Sequence, residues 1–155
     1  MQLILLIGVQ ASGKSTFYQR YFARSHLRIN LDMLKTRHRE KIIFDACIVS
    51  KTKCVIDNTN MRQEDRARYI QQAHTAGFEI IAYYFETDLK STLERNAKRE
   101  GKAKIVEKGV VATYHRLEIP ELNEGFSKIY CIKIIENNEF DMKILAEQQE
   151  ENYEI

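Results

Sequence analysis

Short apolar runs alternate with longer amphipathic segments along most of the chain, and this pattern predicts a series of strands and helices. Gln2–Ile7 is a continuous apolar run of strand length, and Lys14–Phe22 reads as a helix. Leu27–Asn30 is a short strand. Asp32–Ser50 is helical in pattern, with Leu34, Ile42, Phe44 and Ile48 among its apolar positions. Cys54–Ile56 is a third strand, ended by Asp57. Gln63–Ala76 is a helix with Gly77 as its stop. Glu79–Phe85 is a β-branched and aromatic strand, and Asp88 caps a helix running to about Lys98. Val106–Leu117 is a further helix, Lys128–Ile135 a last strand, and a helix from about Phe140 closes the chain.

Strands that alternate with helices imply an α/β fold, a parallel sheet with helices on both faces. Ligands of such sheets bind at the carboxyl ends of the strands. Four polar clusters follow strands directly: Gly8–Ser15, Asn30–Asp32, Asp57–Asn60 and Glu86–Asp88. The pattern therefore sets all four along one edge.

A chain of 155 residues with 44% hydrophobic residues fits one domain, here residues 1–155. One proline, Pro120, and six glycines leave no linker-like stretch. Cys47, Cys54 and Cys131 are odd in number and lack metal-ligand spacing, which points to a reducing, cytoplasmic setting. Met1–Ile7 lacks the basic flank and cleavage site of a signal peptide. No stretch approaches the ~18 apolar residues of a membrane span. A monomer with no membrane partner is expected.

The net charge of +2 conceals a polarity. Residues 136–155, an acidic tail, carry seven acids against one lysine, or −6, so residues 1–135 carry +8. Residues 24–53 and 90–116 each hold eight Lys/Arg against three acids. Such patches suit phosphate-bearing partners, and equally a solvated surface with uneven charge.

Gly8-Val9-Gln10-Ala11-Ser12-Gly13-Lys14-Ser15 matches G-x-x-x-x-G-K-[ST], between a strand and a helix. The glycines let backbone N–H groups turn inward around phosphate oxygens. Lys14 supplies a point charge to the outer phosphates, and Ser15 and Thr16 open the helix, with the Ser15 hydroxyl offered to Mg²⁺. The motif alone implies a bound nucleoside triphosphate with Mg²⁺, since it serves ATPases, GTPases and kinases alike. Asp32 begins a predicted helix after a strand. It fits an N-cap and, equally, a carboxylate that orients a hydroxyl and takes its proton. Asp57 ends an apolar strand, where a carboxylate can hold Mg²⁺; Asn58 and Asn60 also suit a plain turn. Arg95, Lys98, Arg99, Lys102 and Lys104 form a basic run, readable as a lid over about 95–105 or as a solvated face. Arg62 and Arg66 share a helix face and could meet nucleic-acid phosphates or pair with Glu64 and Asp65.

These segments together resemble the polynucleotide 5′-hydroxyl kinase family. Val55-Ile56-Asp57-Asn58-Thr59-Asn60, then Arg66-Ala67-Arg68-Tyr69-Ile70-Gln71, are similar to the kinase domain of animal polynucleotide kinase/phosphatase. So are Gly13-Lys14-Ser15-Thr16-Phe17, the ungapped interval from Asp32 to Asp57, Arg99-Glu100, and Glu124-Gly125-Phe126. The phage end-healing kinase is similar in Arg95-Asn96 and Lys98-Arg99 as well. The resemblance implies a P-loop fold and ATP-dependent phosphorylation of 5′-hydroxyl ends of DNA or RNA, a repair chemistry. Asp32 would be the general base, Arg95 and Arg99 lid arginines, and Asp57, Thr59 and Asn60 would shape the metal and acceptor side.

Two departures bear on the acceptor. Relatives commonly carry Arg between the Asn and Asp of Asn30-Leu31-Asp32, and Lys35 stands where the phage enzyme has arginine. Arg37 or Arg39 would have to substitute, and Arg39 coincides with an arginine of the animal domain. No D-x-D-x-[TV] phosphatase motif is present. The rival readings are a kinase for a sugar, nucleoside or antibiotic, and an ATP-binding switch with little turnover.

Overall fold

The computed structural model describes residues 1–101 and 104–149. Among these residues six strands form one sheet: β1 (Gln2–Ile7), β2 (Leu27–Ile29), β3 (Cys54–Asp57), β4 (Glu79–Phe85), β5 (Lys128–Ile134) and β6 (Phe140–Glu147). Their order is β2-β3-β1-β4-β5-β6. All pairings are parallel except β5 with β6. The helices are α1 (Lys14–Tyr21), α2 (Leu31–Leu34), α3 (Arg37–Ser50), α4 (Gln63–Thr75), α5 (Leu89–Ala97) and α6 (Glu107–Arg116). This is the mixed α/β fold of a P-loop NTPase.

Strand β1 is apolar at every position from Leu3 onward because both of its faces are covered. Leu3, Leu5 and Ile7 pack in one cluster with Phe44, Cys47 and Ile48 of α3 and Tyr69, Ile70 and Ala73 of α4. Ile4 and Leu6 point the other way, to Phe17 and Tyr18 of α1 and to Phe22. Burying a large apolar side chain completely is worth about 1.5–3 kcal/mol, so the central strands anchor the edge that bears the polar clusters.

Two expectations are corrected. The last segment is a strand. Phe140, Met142, Ile144 and Ala146 alternate with Asp141, Lys143, Leu145 and Glu147, a period of two, and the segment pairs antiparallel with β5 from Ile134↔Phe140 to Lys128↔Glu147. A left-handed pair, Asn137 and Asn138, makes the reversal. The part of the acidic tail at 150–155 lies outside the described residues. The helix expected over Asp32–Ser50 is two helices. Lys35 turns left-handed at φ 76°, and Thr36 begins α3 by accepting a hydrogen bond from Arg39 N at 3.1 Å.

His26 is buried between Ser25 Oγ, 2.6 Å from Nδ1, and Gln2 Oε1, 3.1 Å from Nε2. Desolvation, helped by Lys53, lowers its pKa from the ordinary 6.5. The unfolded chain therefore takes up a proton at His26 before the native one does. The stability this side chain contributes is present above pH 6.5 and is lost as pH falls through 6.5 toward the lower native value. Urea midpoints should drop between pH 7.5 and 5 by more in the wild type than in His26→Gln.

Candidate active site

The carboxyl ends of β1, β2 and β3 and the β5–β6 reversal enclose a cleft of about 860 Å³. Its walls hold residues 10–16 of the P-loop and helix α1, Asn30–Asp32, Asp57–Met61, Arg95 and Arg99. Strand β1 delivers the loop, and Gly8 N donates to Thr59 O at 3.0 Å, joining it to the turn after β3. A Cβ on Gly8 would sit 2.8 Å from Ser12 Oγ and 2.9 Å from Phe85 Cβ. Ala11 and Gly13 are left-handed, at φ 60° and 97°. Helix α1 begins at Gly13 without a side-chain cap, so its first N–H groups stay available to an anion. Gly13→Ala adds a Cβ 3.0 Å from Ile134 and 3.1 Å from Phe140 at a φ that costs an L-residue about 1–2 kcal/mol. ADP affinity, read by calorimetry, should fall roughly tenfold or more; unchanged affinity would remove the loop from the phosphate site.

Lys14 is buried, and its ammonium donates to Gly8 O at 2.9 Å, Val9 O at 2.8 Å and Ser12 Oγ at 3.4 Å. Burial brings its pKa down to about 8; Asp57 and Asp32 oppose the fall, and Arg99 adds to it. These three side chains thus converge electrostatically on one ammonium. Arg99 Nη1 is buried with no partner among the described residues, and an orphan guanidinium donor suits an anionic ligand. Arg95 lines the same wall and donates to Thr87 Oγ1 at 3.3 Å. Lys102, in the expected lid, lies outside the described residues. Gln10 reaches Thr113 Oγ1 of α6 at 3.1 Å.

Ser15 Oγ donates to Asp57 Oδ2 at 3.2 Å, and Arg28 bridges the two, at 2.7 Å from Asp57 Oδ2 and 3.0 Å from Ser15 Oγ. Both are hard oxygen donors of the kind Mg²⁺ takes, and the Arg28 guanidinium is held against the same two oxygens. Among the described residues no group of three or more His, Cys, Asp or Glu forms a metal site. Ser15 and Asp57 are the residues that would hold Mg²⁺, together with nucleotide phosphates. Nothing in the sequence pattern pairs Arg28 with Asp57; parallel pairing of β2 with β3 brings them together.

Asp32 does not cap α2. Asn30 does, with Oδ1 accepting from Met33 N at 2.9 Å. The Asp32 carboxylate is left exposed on the cleft wall.

The expected acceptor residues divide. Asn58, Thr59 and Asn60 line the cleft, but Asn60 is buried and donates to Leu6 O at 2.8 Å, holding the turn to β1. Arg39 turns back onto Leu34 O at 3.3 Å, and Arg62 is exposed; neither lines the cleft. Arg37 does line it. Arg66 is a correction. It is fully buried, makes two bonds to the Glu124 carboxylate at 2.8 and 2.9 Å, and donates to Asn60 O and Glu118 O at 3.0 and 2.9 Å. With every arm engaged it fixes the loop rather than meeting a ligand. Sequence reading also misses the far wall, Arg20, Ile134, Asn138 and Phe140; it makes a helix of the segment that forms β6, which hides the reversal that brings Asn138 and Phe140 to the cleft.

The AAA domain family matches residues 3–118. The bifunctional polynucleotide phosphatase/kinase of Schizosaccharomyces pombe is 24% identical over 132 residues, covering 83% of this chain and 32% of that protein. The chain spans a third or less of the length of the curated relatives it matches. Kti12 from Chaetomium thermophilum, solved with ADP-AlF3, has a TM-score of 0.64 at 17% identity over 84% of this chain and 88% of that one. A gluconokinase from Sinorhizobium meliloti 1021 has a TM-score of 0.60 at 16% identity over 85% of this chain and 82% of that one. No helix among the described residues is long and apolar enough to cross a membrane. With the family match spanning the P-loop, the Asp32 helix, Arg95 and Arg99, the chain belongs to the AAA domain family.

Proposed function

We propose that this domain transfers the γ-phosphate of ATP to the 5′-hydroxyl end of DNA or RNA. The observation that carries the reading is a carboxylate committed to no cap, Asp32, sharing one cleft with Lys14 and Arg99. The triphosphate lies along Gly8–Ser15, its charge met by the N-terminus of α1, Lys14, Arg95 and Arg99. Mg²⁺, held at Ser15 and Asp57, neutralises charge on the phosphates when bound. Asp32 orients the acceptor hydroxyl and takes its proton as the oxygen bonds to the γ-phosphorus; the bond to the β-phosphate oxygen breaks, and ADP leaves. Arg37, in place of Arg39, is the cleft cation available to an acceptor phosphate. The segment around Arg95 and Arg99 serves as the lid. The nucleic-acid acceptor draws its support from similarity to a polynucleotide phosphatase/kinase.

One observation favours a second reading. Leu31, on the cleft wall beside Asp32, is apolar, and a sugar kinase of the gluconokinase fold would need no acceptor-phosphate arginine there. Incubation with γ-labelled ATP and a panel of 5′-hydroxyl DNA, 5′-hydroxyl RNA, gluconate and nucleosides separates the two. Label on the oligonucleotides supports the proposal; label on a small alcohol alone overturns it.

A further inference from the structure

Glu40 is a charged side chain only 3% exposed on α3, behind the acceptor side of the cleft. Its carboxylate gathers three donors. Oε1 accepts from Tyr69 OH at 2.7 Å and Arg37 Nη1 at 2.9 Å, and Oε2 accepts from Asn58 Nδ2 at 2.9 Å. Burial and the Glu40 contact push the Tyr69 pKa up, so its hydroxyl stays a donor. Asn58 can then face only one way. Its Nδ2 is taken by the carboxylate, so Oδ1 is presented to Leu31 N, 2.8 Å away.

Leu31 is the first residue of α2 and Asp32 the second. Four residues cannot hold a helical turn on their own, none of them is buried, and the left-handed Lys35 follows at once. The direction of α2 is therefore set from outside: Leu34 packs against the core, and two side-chain amides tie the start of the helix to the end of β3, Asn30 Nδ2 donating to Asp57 O at 2.6 Å and Asn58 Oδ1 accepting from Leu31 N.

We propose that Glu40 is a positioning residue: by locking the amide of Asn58 in one orientation it fixes the start of α2, and with it the Asp32 carboxylate. This rests on the reading of Asp32 as the acceptor-side base. The role needs acceptors on both oxygens. A glutamine at 40 keeps one acceptor and gains an N–H₂, so it either opposes the Asn58 amide or drops Tyr69 and Arg37. An Asn58 that flips in response turns its own N–H₂ toward Leu31 N–H, and the bond is lost.

The test is a donor–acceptor swap. Glu40→Gln should speed hydrogen exchange at the Leu31 amide and lower kcat for phosphoryl transfer roughly tenfold, with KM for ATP unchanged. Adding Asn58→Asp reverses the polarity of the pair. The Nε2 of the introduced glutamine then donates to one oxygen of the introduced aspartate, while the other oxygen still accepts from Leu31 N–H. The double variant should recover most of the exchange protection and of kcat. The proposal is overturned if Glu40→Gln leaves kcat and Leu31 exchange as in the wild type, if it raises KM for ATP as much as it lowers kcat, or if the double variant is no better than the single. Should the wild type phosphorylate no acceptor, the functional reading falls by itself, and the exchange series still decides whether Glu40 holds Leu31.

Discussion

Arg66→Ala is expected to lower the unfolding free energy by about 3–5 kcal/mol, the range for removing one member of a buried ion pair. The guanidinium is fully buried and Glu124 is only 6% exposed. Alanine leaves that carboxylate without its cation and strips the donor from Asn60 O and Glu118 O. Burial without a partner is what makes the loss large; an exposed pair such as Arg68–Asp65, 3.8 Å apart, is worth far less. Urea denaturation with an unchanged slope should show the drop for Arg66→Ala, while Arg62→Ala and Arg68→Ala stay within about 0.5 kcal/mol of the wild type. A stable Arg66→Ala that has lost only oligonucleotide affinity would contradict this role and return Arg66 to the acceptor surface.

Asp32→Asn is expected to lower kcat about 10²–10⁴-fold, the range for a general base. Asparagine is close to isosteric and is itself a good N-cap, so a capping role would leave the rate intact. Capping belongs to Asn30, and Asp32 is exposed, so the thermal midpoint and ADP affinity should stay near wild type. A variant that keeps wild-type kcat removes Asp32 from the chemistry. One that loses ADP binding in parallel with rate assigns it to the nucleotide instead.

Much of this arrangement is legible in the sequence. Five of the six strands are legible, and β1 and β3 most plainly, because burial on both faces makes them continuous apolar runs with no polar alternation to confuse them. The strand ends then place Gly8–Ser15, Asp32 and Asp57 on one edge, and the cleft gathers all three. Two of the misses, β6 and Arg66, share a physical cause: a local signal misleads when its non-local partner is out of view. Strand β6 carries a two-residue period, yet its setting in an acidic, helix-favouring tail masks it, and its stability comes from the ladder with β5. Arg66 occupies the same stripe as Tyr69, Ile70 and Ala73, a spacing that marks the inward face of α4. Its partner Glu124 is 58 residues away, so charge alone draws Arg66 toward phosphates. Lys35 gives no warning of its left-handed turn, although Thr36 as a cap could have placed the break. Asn30, not Asp32, caps α2, and that distinction needs the side-chain geometry.

Addition of a phosphate to the 5′ end of a nucleic acid is measured most directly by incubating a 5′-hydroxyl oligonucleotide with the domain, ATP and Mg²⁺, and then challenging the product with an exonuclease that requires a 5′-phosphate. Digestion is predicted after treatment with the wild type, and resistance after treatment with Asp32→Asn. An oligonucleotide that stays resistant while the wild type phosphorylates gluconate or a nucleoside would contradict this activity.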